Sequence, residues 1–305
     1  MLLMRTSLDH LAPIEQRQLR RVLQIILEEF DDALKAGEAD FKKRGRILKI
    51  IAFGPYARGN FPNASIDILV IVNNKKLADL SCWNRANDRL TRDVEIETPI
   101  RMLVHALRDV NSDLQRGRHF FVEIASEGIA LYELDNEPLA PPGKIPSHMA
   151  ARIALKYFER HASLAVKFLK GGKFYRDEGD YNEAAFMLHQ SIEQAYATCL
   201  LVLTNYSPAS HNLRVLRGLA EQRAEALEGV WHEDRECFVV WFDLVNGAYV
   251  RSRYSLDYQI SREALDWLVH RTTELVSRVQ TVSDAHLKQC SQLSEGMSNA
   301  DEACR

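Results

Sequence analysis

An apolar run that stops, turns through two glycines and resumes around one carboxylate constrains this chain more than any other stretch. Residues 50–72 read IIAFGPYARGNFPNASIDILVIV. Residues 50–53 and 66–72 carry enough β-branched and aromatic side chains to form strands. Gly54 and Gly59 permit tight turning and close approach of the backbone to a ligand. Strand side chains alternate between faces, so Ser65 and Asp67 share one, and Asp67 is carried as an acid into a cleft.

The periodicity divides the rest into two halves. Residues 13–36 predict an opening helix, with Pro13 near its start and Ile14, Leu19, Val22, Ile26, Phe30 and Leu34 returning to one side. A basic turn at 42–46 leads to the first strand at 49–53. After the second strand come a turn at 73–76, a helix at 83–90, an extended segment at 96–106, a short helix at 119–127 and a short strand at 128–134. Strands interleaved with helices make a small α/β or α+β domain. Four of the nine prolines, Pro138, Pro141, Pro142 and Pro146, then fall between 137 and 147, which reads as a linker. Beyond it helices are expected at 148–170, 181–204, 211–226, 231–250 and 261–283, a bundle. Asp180 with Glu183 has capping-box spacing, and Ser261 is the expected cap of the last helix. The expected division is 1–136, a linker 137–147, a bundle 148–288 and a tail 289–305.

Three hundred and five residues suffice for two cores, and a net charge of -3 gives no global basic field for nucleic acid. The five cysteines, Cys82, Cys199, Cys237, Cys290 and Cys304, contain no Cys-x-x-Cys pair, which suits reduced thiols. The opening MLLMRTSLDH is too short and too soon polar for a secretion signal. Apolar runs such as 199–203 are too short to span a bilayer. A cytoplasmic protein with no membrane partner is therefore expected.

Residues 54–70 resemble the signature of the polymerase-beta-like nucleotidyltransferases, in which glycine-serine opens a helix and Asp-x-Asp sits on the next strand. Gly54 stands in place and Pro55 replaces the serine; Tyr56, Ala57, Arg58 and Gly59 follow the pattern. Ser65 occupies the position of the first aspartate and Asp67 that of the second. The later strand of the family, which carries a third acid, is best matched by 101–105, placing Arg101 where the acid belongs. Glu97 shares the face of Arg101 if the strand extends back through Pro99, and Glu95 lies farther off. The resemblance implies a nucleoside triphosphate, with Gly54, Pro55, Tyr56, Arg58 and Gly59 facing it, and Mg²⁺ held through Asp67. Arg101 would instead pair with Asp67 or a phosphate, and Arg58 would face the ligand, face Asp67 or form a scaffold salt bridge.

In the second half, YNEAAFMLHQSIEQAYATCLLVL, SHNLRVL and AYVRSRYSLDYQIS resemble the HEPN family. Active members of that family are ribonucleases with an Arg-x₄₋₆-His motif, assembled across a dimer. Here Arg251 and Arg253 precede Asp257 and Tyr258, and no histidine follows at that spacing. His189 and Glu193, four apart on one helix, read as a polar pair or as two metal ligands; His211 and Asn212 read as a helix start that caps or docks. The two resemblances together imply an α+β domain with a small mixed sheet followed by an all-α bundle. They imply a divergent, weakly active or inactive fusion that binds nucleotide or phosphate and acts in regulation, toxin–antitoxin pairing or defence. A homodimer through the helical domain, with RNA as a further partner, follows from the same likeness. The alternatives are a non-enzymatic dimeric scaffold, an Mg²⁺-dependent nucleotidyltransferase (an aminoglycoside-modifying one included) or a HEPN ribonuclease.

Overall fold

The computed structural model describes residues 4–35, 39–59, 65–134, 137–231 and 234–303. The expected domain edge at 136, residues 60–64 of the glycine-bearing loop and Cys304 lie outside them. The chain divides into two compact units, Met1–Lys144 and Ile145–Arg305.

The first unit is a four-stranded mixed sheet of order β3-β2-β1-β4. It opens with α1 (Pro13–Lys35) and the single turn α2 (Asp40–Lys43). Pro13 starts α1 at the position where its missing N–H is no loss, and the Glu15 carboxylate accepts a hydrogen bond from the Ala12 N–H at 2.9 Å. Then come β1 (Ile47–Phe53), α3 (Gly54–Arg58), β2 (Ile66–Val72), α4 (Asn84–Arg92), β3 (Ile100–Ala106), α5 (Leu107–Gln115), α6 (His119–Glu127) and β4 (Ile129–Glu133). β2 pairs antiparallel with β1 and parallel with β3, and β4 closes antiparallel on the other side of β1. Every residue of β1 and β2 is buried, because helices cover both faces; hence the near-continuous apolar runs. One face, with Ile50, Ala52, Ile66, Ile68 and Val70, packs on Leu19, Val22, Ile25 and Ile26 of α1 and on Trp83 and Leu90. The other lies beneath α5 and α6, where Phe53 meets Phe120 edge-on at 5.6 Å and His105 meets Phe121 at 5.5 Å.

Three sequence expectations change here. α5 forms where no element was expected. The extended segment begins at Ile100 rather than 96. Part of the proline-bearing connection is docked on the first unit: Ala140 N–H donates to the Asn111 side chain at 2.8 Å and Gly143 N–H to the Leu114 carbonyl at 2.9 Å.

The second unit is all helical: α7 (Ser147–Glu178), α8 (Tyr181–Thr204), α9 (Leu213–Glu221), α10 (Glu236–Tyr254) and α11 (Arg262–Ala303). α8 is its axis, packed by each of the other four, and so it is rich in buried small and apolar residues such as Ala184, Ala185, Leu188, Ile192 and Ala195. Gly172 of α7 lies so close to α8 that a Cβ there would stand 2.8 Å from the Leu188 side chain. Aromatic residues contribute to the interior: the buried Trp231 indole donates to the buried Tyr196 hydroxyl at 2.6 Å, and half-buried Phe238 stacks on half-buried Trp267 at 4.8 Å. Ser261 caps α11 through the Ala264 N–H at 3.1 Å, whereas the Asp180 side chain makes no capping bond to α8. α11 runs on through Ala303, so the expected tail at 289–303 continues the last helix. Among the described residues no helix is long and apolar enough to cross a membrane.

Candidate functional site

Sheet register builds the N-terminal site. Phe53 pairs with Asp67 across β1 and β2, and Asp67 with Arg101 across β2 and β3, so the three form one row on the face covered by α5 and α6. Within that row Arg101 Nε donates to Asp67 Oδ1 at 2.6 Å and Nη2 to Oδ2 at 2.9 Å. The Asp67 side chain is fully buried and that of Arg101 nearly so. A forked guanidinium on a carboxylate is a strong, geometrically fixed pairing. Ser65, just ahead of β2, is half-buried. Glu97 is exposed in the loop ahead of β3, and the Glu95 N–H donates to the Asp93 carboxylate. Pro99 accepts a hydrogen bond from the Ile66 N–H at 2.8 Å, yet regular strand starts only at Ile100, and neither glutamate is carried onto the row.

The glycine-bearing loop is a five-residue helix, α3, with Pro55 in its first turn and Gly59 ending it in the left-handed conformation (φ 72°). Pro55, Tyr56 and Ala57 are buried, and burial pushes the Tyr56 hydroxyl up to about 12. Arg58 Nη1 donates to Glu123 at 3.2 Å and to Glu127 at 3.0 Å, both on α6. Of the three roles open to Arg58 in the sequence, the observed one is the scaffold salt bridge. Phe53, Gly54, Arg58, Glu123, Glu127 and Gly128 enclose a cavity of about 10 Å³, room for a single water.

These donors do not fit Mg²⁺. That ion takes hard oxygen ligands, commonly carboxylates, in near-octahedral array. Here one carboxylate faces inward, both of its oxygens receive N–H groups from Arg101, and the guanidinium supplies the positive charge a metal would bring. Two glutamate partners of Arg58 and the Lys49–Glu133 pair, in which a fully buried lysine reaches across to β4, were not anticipated. A lysine inside an apolar strand was the legible sign of the second.

In the helical unit Arg251, Arg253, Tyr254 and Asp257 are exposed at and beyond the end of α10. Arg253 stacks within 4.8 Å of the Phe186 ring and 4.7 Å of the Tyr249 ring, and Arg251 lies 5.8 Å from the ring of Tyr258. Tyr258 itself is 2% exposed, and its hydroxyl donates to the Leu244 carbonyl at 3.0 Å. Burial raises its pKa far above the usual phenol range. His189 is fully buried, and its Nε2 lies 3.3 Å from Glu193. His211 Nδ1 meets the same carboxylate oxygen at 2.8 Å. Burial works to raise the Glu193 pKa, but the two imidazoles outweigh it and hold it below the ordinary value. Asn212 caps α9 by accepting the Arg214 N–H at 3.0 Å.

Residues 158–282 match the family profile described as the HEPN domain. The C-terminal unit carries a HEPN domain. The mixed α/β region ahead of it is nucleotidyltransferase-like. A segment of 46 residues is 52% identical to a Methanocaldococcus jannaschii protein that bears the name protein adenylyltransferase. The match covers 15% of this chain and 41% of that relative, less than half its length. Arg251 and Arg253 lie within the matched segment. Buried Tyr258, its pKa raised by that burial, is not ready to shuttle a proton.

Proposed function

We propose that this nucleotidyltransferase-like/HEPN fusion has exchanged metal-dependent transfer for a regulatory role. The carrying observation is the forked Arg101–Asp67 pair in the row where a polymerase-beta-like site gathers its metal carboxylates. Its chemistry is phosphate-directed nucleotide recognition without turnover, made through the backbone of the 54–59 loop. The HEPN domain, lacking a histidine at Arg-x₄₋₆-His spacing after Arg251 or Arg253, acts through its surface, as a homodimer in a toxin–antitoxin or defence pairing. The adenylyl transfer in the relative's name supports nucleotide as the ligand class.

A second reading is a scaffold that binds no nucleotide. The capture of Arg58 by Glu123 and Glu127 favours it, since that guanidinium is then withheld from a phosphate.

Calorimetry with ATP, CTP, GTP and UTP, with and without Mg²⁺, separates the two readings, and labelled-nucleotide transfer to RNA and to the protein itself tests both. The expected result is Mg²⁺-independent binding that weakens at least about tenfold from triphosphate to nucleoside, and no transfer. Absence of binding leaves the scaffold. Turnover near 1 s⁻¹, ordinary for an enzyme, and abolished by Asp67→Asn, would sink both.

A further inference from the structure

In the helical unit, three ligand-bearing side chains converge away from Arg251–Tyr258. His189 and Glu193 share a face of α8 because they are four residues apart. His211 arrives from the connection between α8 and α9. One nitrogen from each histidine and one carboxylate oxygen all lie within 4.8 Å of one another.

The state of His189 follows from its partners. Its Nδ1 is 2.9 Å from the Val245 carbonyl, which can only accept, so Nδ1 carries the proton. In the neutral ring Nε2 is then a bare lone pair. It is buried, makes no hydrogen bond and points at Glu193 Oε2 from 3.3 Å. Two acceptors facing each other at that range repel unless a proton or a metal ion stands between them. A backbone carbonyl that orients the other ring nitrogen is also the usual outer support of a metal-binding histidine.

His211 is held ready. Its ring stacks on Tyr249 at 3.6 Å and 13°, and the Leu213 N–H beside it is anchored to the Asn246 side chain at 2.7 Å. The His211 side chain is half exposed, so the trio opens to solvent on that side. Zinc bonds of about 2.0–2.1 Å put neighbouring tetrahedral ligands about 3.3 Å apart. The His189–Glu193 separation already has that value, and His211 Nδ1 stands 2.8 Å from the same carboxylate oxygen.

We propose that His189, Glu193 and His211 form a binding site for a divalent cation of the zinc class, with a fourth position open to solvent. Two imidazoles and a carboxylate suit a borderline ion and not Mg²⁺, which prefers oxygen donors throughout. The bound ion ties the α8–α9 connection to the bundle axis. Arg253, stacked on Tyr249, is a neighbouring cation that moderates the affinity.

The test uses the full chain stripped with a chelator and titrated by calorimetry with Zn²⁺ and Mg²⁺, and by visible spectroscopy with Co²⁺. One equivalent of Zn²⁺ is expected per chain with a Kd of about 1 µM or tighter. Co²⁺ should give the intense visible bands of a tetrahedral site, and Mg²⁺ should not compete. Glu193→Gln and His211→Ala should each weaken Zn²⁺ at least about tenfold, with unchanged circular dichroism; buried His189 is left intact so that folding is not the variable. Cys290 and His286 approach within 3.5 Å on α11 and are a competing zinc pair, so Cys290→Ser should leave binding unchanged. No stoichiometric binding overturns the proposal, and a proton then bridges His189 and Glu193. Binding that is indifferent to either Glu193→Gln or His211→Ala, or lost in Cys290→Ser, also overturns it.

Discussion

Arg101 holds both oxygens of Asp67, Nε at 2.6 Å and Nη2 at 2.9 Å, in a pair buried between adjacent parallel strands. Removing one member takes from the other its buried forked partner, at a cost of roughly 3–5 kcal/mol. Arg101→Met should therefore destabilise the N-terminal unit by about that much. The double variant Asp67→Asn, Arg101→Met should recover more than half of the loss. Urea titrations read on isoleucine methyl NMR signals of β1 and β2 give the cycle. Additive effects of the two substitutions would mean the pair is not coupled as its geometry requires.

His105 lies on the same face as Arg101 and packs on Phe121. Burial pushes its pKa from 6.5 down to about 4, against a smaller opposing effect of Asp109. Between those values the unfolded chain takes up a proton that the folded chain refuses. Stability should thus fall as pH drops from about 6.5 towards 4, by at most about 1.4 kcal/mol per pH unit. In His105→Leu the fall should be shallower by that amount. Parallel curves for the two proteins, measured on the same methyl signals, would contradict it.

Gly143 sits against α5 so closely that a Cβ would stand 1.9 Å from the Gln115 carbonyl oxygen. That oxygen belongs to backbone and cannot swing aside. Gly143→Ala should cost about 1–3 kcal/mol and free the segment that Ala140 and Gly143 dock. Hydrogen exchange should accelerate at 138–144 while β1 and β2 keep their protection.

Tyr254 is 75% exposed and Tyr258 only 2%. Tetranitromethane should modify Tyr254 and leave Tyr258 untouched, as peptide mapping would show. Tyr258→Phe should cost about 1 kcal/mol, the worth of one hydrogen bond to the Leu244 carbonyl. Ready nitration of Tyr258 in the native protein would mean that the end of α10 opens.

The two-part architecture was legible because its signals are local. Apolar runs of strand length bounded by glycines marked β1 and β2, and helical periodicity beyond the prolines marked the bundle. α5 was missed because its sequence, LRDVNSDLQ, is short and polar, and only Val110 and Leu114 are buried; its helicity comes from packing over β2 and β3. The Asp180 box has the right spacing, but the Asp180 side chain makes no capping bond to α8.

At the sites the division is the same. The sequence by itself determined that Asp67 stands alone in an apolar strand and that His189 and Glu193 share a helix face, because alternation and the helical turn act over a few residues. Only the tertiary structure decided what those groups meet. Parallel register carried Arg101 to Asp67, 34 positions away, α6 brought Glu123 and Glu127 to Arg58, and a loop delivered His211 to Glu193. Such meetings depend on strand order and helix packing, and these are set by burial summed over a whole unit rather than by any one segment.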